Sequence, residues 1–189
     1  MSVDGVILAA GYSSRAKTFK LELEINKKAI IQRCIESLYD ECNKIILVTG
    51  YKHEKIDELV KNYTKVKVIY NEEFHKGMFS SVKKGIQHVT AERFLLTPGD
   101  YPLINKEVVK KLLNEENEIV IPSFNKRGGH PILLSSKLIK EILNEKEDSN
   151  LKIYLRKKQC SYLNINDEGI VIDVDTIDDY NYVKTLQGY

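Results

Sequence analysis

The chain has 189 residues, 42% of them hydrophobic, and a formal net charge of +2. That length is enough for one domain with a sizeable core, and residues 1–189 read as a single domain. Mixed acids and bases near neutrality give no reason to expect nucleic acid or a membrane surface as a partner, and no apolar run approaches the roughly 20 residues that span a bilayer. The three cysteines, Cys34, Cys42 and Cys160, are odd in number and unclustered. They fit reduced thiols in a cytoplasmic protein and argue against structural zinc. The opening MSVDGVILAAG lacks a basic flank and a small-residue cleavage site, so it reads as a first strand and not as a signal peptide.

In chain order, short runs rich in Ile, Val and Leu predict strands at 5–9, 44–49, 66–70, 93–97 and 118–122, each buried on both faces. Between the first two, Ile30, Ile31, Cys34, Ile35 and Leu38 fall at helical spacing and form one apolar stripe, which makes Cys34 a core residue. A second helix is expected over 52–62, with Ile56, Leu59 and Val60 facing inward. A third should begin near Ser80, and a fourth near Asn105, which can cap it. The later chain predicts a strand at 131–134, helices at 136–143 and 150–157, and strands at 160–165 and 170–174 that could form a hairpin turning near 166–169. Thr176 should cap a last helix, with Asp179 completing a capping box. This alternation predicts a three-layer α/β/α, Rossmann-like fold. Its sheet should be mostly parallel, with a small antiparallel β addition from the second half.

In such a sheet, ligands bind beyond the carboxyl ends of the strands. The stretch VILAAGYSSRAKTFK, residues 6–20, runs from the first strand into a loop at that rim. Gly11 permits close backbone approach, Ser13 and Ser14 offer hydroxyls, and Arg15 and Lys20 offer cations suited to a polyphosphate. Neither GxxxxGK[ST] nor GxGxxG is present, so a Walker loop and a dinucleotide fingerprint are absent and a nicotinamide-dependent oxidoreductase is disfavoured. On the residues alone, a solvated loop with incidental cations remains as good a reading as an anion site.

Asp100 lies in a Pro-Gly-Asp-Tyr-Pro corner after the fourth strand, either as a turn former or as a ligand for Mg2+. Asp173 and Asp175 alternate with Ile172 and Val174, so in extended backbone they point the same way; the alternative is an edge strand followed by a helix cap. Gly77, Met78, Ser80 and Ser81 lead into a helix whose start can bind an anion or a base edge, with Ser80 as a plain cap the competing reading. Arg127 and Lys126, beside Gly129-His130-Pro131, either hold a phosphate or form a wet loop. His53, His75 and His88 read as surface residues.

The 6–20 stretch resembles LAAGxSxRMGxxK, the signature of the MobA-like nucleotidyltransferases, at Leu8, Ala9, Ala10, Gly11, Ser13, Arg15 and Lys20. Ala16 and Lys17 stand where that family has Met and Gly. HKGMFSSVKKGI, LLTPGDYPLI, PSFNKRGGHPILL and VIDVDTIDDY are similar to four further family elements, in the same order. The GHP segment resembles the branch acting on molybdenum cofactor precursors, whose cytidylyltransferases fit best. The resemblance implies a Mg2+-dependent transfer of a nucleotide, CMP by preference, from an NTP to a phosphorylated small molecule such as a molybdopterin. It implies a nucleotide site from residue 8 to Gly11 with Ser13, Ser14, Arg15, Lys20, Gly77, Met78, Ser80, Ser81, Gly99 and Asp100. Arg15, Lys20 and Asp100 would be catalytic, Asp100 and Asp175 would hold the metal, and Arg127, Gly129 and His130 would face the acceptor. The GTP-using branch reads LAGG, and Ala10 in place of its glycine favours CTP. Two alternatives stay open: a cytidylyltransferase for another acceptor, such as a polyol or choline phosphate, and a nucleotide-binding protein that has lost catalysis through Ala16 and Lys17. The chain is expected to act as a monomer or weak homo-oligomer.

Overall fold

The computed structural model describes residues 2–12, 18–146 and 148–186. The expectations placed on Ser13, Ser14, Arg15, Ala16 and Lys17 lie outside them.

Strand β1 (Val3–Ala9) is buried throughout and occupies the middle of an eight-stranded sheet. A small antiparallel pair, β2 (Glu24–Ile25) and β3 (Lys28–Ala29), precedes α1 (Ile30–Tyr39). There follow β4 (Ile45–Thr49), α2 (His53–Val60), β5 (Val66–Tyr70), α3 (Met78–Ile86), β6 (Arg93–Pro98) and α4 (Lys106–Leu113). The second half supplies β7 (Ile119–Phe124), the two-residue β8 (Arg127–Gly128), β9 (Ile132–Ser135), α5 (Ile139–Asn144), α6 (Leu151–Arg156), β10 (Ser161–Asn164) and α7 (Ile177–Leu186).

Along the sheet the order is β10-β7-β9-β6-β1-β4-β5, with β8 paired to β7. Contacts β6–β1–β4–β5 and β10–β7 are parallel, and β9 runs antiparallel to both its neighbours. Alternate strand residues feed two separate cores. Ile7, Ala9, Ile45, Leu47 and Leu95 pack with α1, α2, α4 and α7, while Val6, Leu8, Ile46, Val48, Phe94 and Leu96 pack with α3, α5 and α6. The result is a three-layer α/β/α arrangement. From β1 the chain moves outward through β4 and β5, then returns to place β6 on the other side of β1. The carboxyl ends of β1 and β6 therefore flank the point where strand order reverses, where a crevice opens.

Two expectations are corrected. Residues 170–174 are not a strand, and no hairpin turns at 166–169. Asp167 Oδ1 accepts the Gly169 amide (2.9 Å) and starts a 3-10 turn, Glu168–Val171. The backbone groups that follow serve two rim loops instead of a ladder: Ile170 O accepts from His130 N (2.8 Å), and Val174 N donates to Asp100 O (2.9 Å). β10 pairs in parallel with β7. α3 begins at Met78, close to the expected start, but Ser80 is not its cap: Gly77 is, at φ +100, a conformation that favours glycine, and the Ser80 hydroxyl turns back onto Gly77 O (2.8 Å).

Candidate functional site

An acidic corner forms where β6 ends. The Gly99 amide donates to Leu8 O (2.8 Å), and a Cβ there would lie 2.9 Å from Ile31 Cδ1, so glycine lets the corner close onto β1. This puts Asp100 beside the β1 terminus. Asp175 arrives from the other end of the chain. Thr176 and Asp179 form a reciprocal cap at the start of α7: Asp179 Oδ2 accepts the Thr176 amide (2.7 Å), and Thr176 Oγ1 accepts the Asp179 amide (3.1 Å). Asp179 also accepts the Asp175 amide (3.1 Å), which fixes the backbone carrying that carboxylate.

Lys20 opens a short 3-10 turn between buried Phe19 and buried Leu21. Its Nζ donates to Asp100 Oδ2 (2.6 Å) and Asp175 Oδ1 (2.9 Å), and its side chain is 12% exposed. Burial alone pulls the Lys20 pKa down, but the attraction and hydrogen bonds of Asp100 and Asp175 outweigh it and leave the ammonium above its ordinary range. Asp173 joins the pair: one carboxylate oxygen from each of Asp100, Asp173 and Asp175 lies within 4.8 Å of the others. Burial first, then the neighbouring charges of Asp175 and Asp100, raise the Asp173 pKa. Asp100 Oδ1 is buried without a hydrogen-bond partner. Three convergent carboxylates, with Asp100 Oδ1 unpartnered, are a donor set that could hold a hard divalent cation.

Two cavities meet at this corner. The first, about 370 Å3, is lined by Leu8, Ala9, Ala10, Gly11, Lys20, Gly77, Met78, Ser81, Pro98, Asp100 and Asp175, together with Tyr12, Phe74 and His75. The rings of Tyr12 and Phe74 pack at 5.2 Å. A Cβ at Gly50 would stand 2.9 Å from that of Ala10 and 2.7 Å from Phe74, so glycine at 50 leaves room for both side chains. Gly11 has no positive φ, and a Cβ there would meet no described atom within 4 Å. The fold does not require glycine at that position. Buried Asn71 anchors the start of α3 by donating to Ser80 Oγ and Ser81 Oγ (3.0 Å each).

The second cavity, about 440 Å3, shares Leu8, Met78, Pro98, Asp100 and Asp175 with the first and adds Phe79, Val82, Leu96, Tyr101, His130, Leu151, Lys152 and Asp173. His130 is half-buried and packs edge-on against Tyr101 (4.7 Å between ring centroids). Burial pushes its pKa down to about 4, partly offset by a hydrogen bond to the Leu96 backbone, and Nδ1 has no partner. The imidazole is thus neutral at physiological pH.

The structure therefore gathers Lys20, Asp100, Asp173, Asp175, Leu8, Ala9, Ala10, Gly11, Gly77, Met78 and Ser81 around one rim. Ser80 and Gly99 are near it but line neither of the two cavities. Gly129 and exposed Arg127 also lie outside both linings. Arg127 is close enough to Tyr101 to act on it electrostatically, and Gly129 is pressed against Ile170. Tyr12, Phe74, His75, Tyr101 and Lys152 escaped the sequence reading. Aromatic residues scattered through loops give no periodic signal, and His75 carried only the label of a surface residue.

A family profile described as the MobA-like NTP transferase domain matches residues 5–161. The molybdenum cofactor cytidylyltransferase of Escherichia coli K12 is 30% identical over 184 residues, 97% of this chain and 96% of that protein. A nucleotidyl transferase from Methanothermobacter thermautotroptrophicus superposes with a TM-score of 0.86 at 16% identity, covering 98% of this chain and 97% of the other. A Mycobacterium tuberculosis H37Rv protein in complex with manganese superposes at 0.77 with 18% identity, covering 98% of this chain and 99% of the other.

Proposed function

Because the chain belongs to the family of MobA-like NTP transferase domains, we propose that it transfers CMP from CTP to the phosphate of a small acceptor of the molybdopterin type. Nucleotidyl transfer from an NTP to a phosphorylated acceptor follows from the family. The nucleobase and the acceptor are the finer reading. CTP is supported by Ala10, which lines the first cavity and carries a methyl that would narrow the room for a purine. The molybdopterin-type acceptor is supported by likeness along nearly the whole chain to a molybdenum cofactor cytidylyltransferase.

One observation carries the reading: Lys20 bridges Asp100 and Asp175 where the two cavities meet. The nucleotide would occupy the first cavity and the acceptor the second, so the reacting phosphates come together at the corner between them. An acceptor phosphate oxygen forms a bond to the α-phosphorus, the α–β bridging P–O bond breaks, and its electron pair departs on pyrophosphate. A phosphate monoester has a second pKa of about 6 and is already mostly dianionic at neutral pH, so no strong base is needed. His130, neutral and off the corner, suits a hydrogen bond to the acceptor and not proton abstraction. Lys20 would neutralise charge gathering on the departing pyrophosphate, together with Arg15. Asp100 and Asp175, with Asp173 beside them, would hold a divalent ion, which when bound screens the phosphate charges and polarises their oxygens. Arg127 and Gly129 would frame the acceptor's entrance.

A thermal-shift screen of CTP, GTP, ATP and UTP, with and without Mg2+ or Mn2+, tests the nucleotide half of this reading. CTP with metal should give the largest shift, since stabilisation grows with the logarithm of saturation. A larger shift with GTP would remove the cytidine assignment.

A further inference from the structure

The second cavity raises an electrostatic problem. Its inner end carries Asp100, Asp173 and Asp175, and a phosphate monoester entering it brings a charge of about −1.5 to −2. Lys20 lines the first cavity and not the second. Among the residues lining the second cavity, His130 is neutral and Lys152 is the one cation.

Lys152 is held in place by its helix. Asn150 Oδ1 accepts the Ile153 amide (2.9 Å) and fixes the first turn of α6. Tyr154 is buried and donates its hydroxyl to Glu141 (3.2 Å), pinning the inner face. The neighbouring lysines are committed: Lys157 pairs with Glu145 (3.0 Å), and Lys158 pairs with Glu141. Lys152 is exposed and has no hydrogen bond or ion pair among the described residues.

Resting on the two-cavity reading above, we propose that Lys152 binds the anionic group of the acceptor, so that the second cavity selects a phosphate monoester whose body packs on an apolar wall. The ammonium offsets the repulsion between the incoming dianion and the carboxylates, and it gives the acceptor phosphate a cation within the second cavity, which Lys20 does not line. A point charge on a flexible stem suits a tetrahedral phosphate that must still reach its partner. Leu8, Phe79, Val82, Leu96 and Leu151 supply the wall for the rest of the molecule.

The test uses phenyl phosphate, a monoester with a flat apolar body, titrated into protein loaded with Mg2+ and a nonhydrolysable α,β-methylene analogue of CTP. Amide NMR shifts around residues 130 and 150–152 report binding. Lys152→Ala should weaken phenyl phosphate about fivefold, the loss of one exposed charge-assisted hydrogen bond, without changing affinity for the CTP analogue. Lys152→Arg should restore most of it, and Lys158→Ala should match wild type. Equal affinity in Lys152→Ala and wild type, with nucleotide binding intact, would overturn the role of Lys152 alone. Wild-type protein that binds the analogue but shows no phenyl phosphate shifts would overturn it as well. Failure of wild type to bind the analogue would overturn the parent reading together with this assignment.

Discussion

Lys20 Nζ lies 2.6 Å from Asp100 Oδ2 while also reaching Asp175 Oδ1 at 2.9 Å. One ammonium thus joins the end of a central strand to the cap of the last helix. It stands where a divalent ion bound to those carboxylates would compete with it. A triphosphate offers Lys20 other anionic partners, so nucleotide binding should release the carboxylates for the ion.

Lys20→Ala should therefore separate two properties. Turnover, measured as pyrophosphate release, should fall by about 10²–10³-fold, the range for losing one preorganised charge-stabilising group. Mn2+ binding without nucleotide, followed by calorimetry, should tighten because the competing cation is gone. Unchanged turnover would count against the role of Lys20, and weaker Mn2+ binding would contradict the competition.

Asp100→Asn keeps the shape of the side chain and removes its charge. Turnover should drop by about 10²–10³-fold. Lys20 keeps Asp175 as a partner, so urea denaturation should show a stability loss of only about 1–2 kcal/mol. Near-normal turnover would remove Asp100 from the metal site.

His130 makes stability depend on pH. Its folded pKa of about 4 is below the ordinary histidine value, so between roughly pH 6.5 and 4 the unfolded chain binds the extra proton. Stability contributed by the neutral ring is fully present above pH 6.5 and is lost as pH falls toward 4, by about 2–3 kcal/mol. Urea denaturation at pH 7.5, 6 and 5 should show this slope in wild type and a shallower one in His130→Gln. Parallel slopes would mean that the ring is not desolvated as described.

Two glycines should respond in opposite ways to alanine. At Gly129 a Cβ would lie 2.3 Å from Ile170 O, a backbone atom, so Gly129→Ala should cost about 3 kcal/mol in stability. At Gly11 a Cβ meets no described atom within 4 Å, so Gly11→Ala should unfold within about 0.5 kcal/mol of wild type. Its nucleotide affinity should still fall, because the added methyl enters the first cavity. Normal CTP affinity in folded Gly11→Ala would place the nucleotide elsewhere.

Ala10→Gly removes a methyl from the lining of the first cavity. The ratio of GTP to CTP use, taken from kcat/KM, should rise by about tenfold, the scale of a one-carbon change in a binding pocket. An unchanged ratio would mean that the base is read elsewhere.

Much of the sheet was legible because β1, β4 and β6 are covered on both faces, leaving nearly continuous apolar runs in the sequence. Cys34 read correctly as core from its helical stripe, and Thr176 with Asp179 read correctly as a cap. Residues 170–174 misled because the apolar run Ile170–Ile172 leads into Ile172 and Val174, which alternate with Asp173 and Asp175 as strand residues do. The side chains of Ile170 and Val174 are buried, but their backbone groups serve Asp100 and His130 in two loops. The acidic cluster was visible in outline as Asp100 with Asp173 and Asp175. Lys20 between two carboxylates was not, since the sequence reading paired that lysine with phosphates alone. Lys152 was invisible because only tertiary packing brings it to the same cavity as residues near both ends of the chain.

The most direct measurement is pyrophosphate release with Mg2+, CTP and molybdopterin, alongside the same mixture containing GTP. Stoichiometric pyrophosphate and a cytidylylated acceptor, formed faster with CTP and lost in Lys20→Ala, are the result this account predicts. Folded wild-type protein that binds CTP yet releases no pyrophosphate with any phosphorylated acceptor would contradict it.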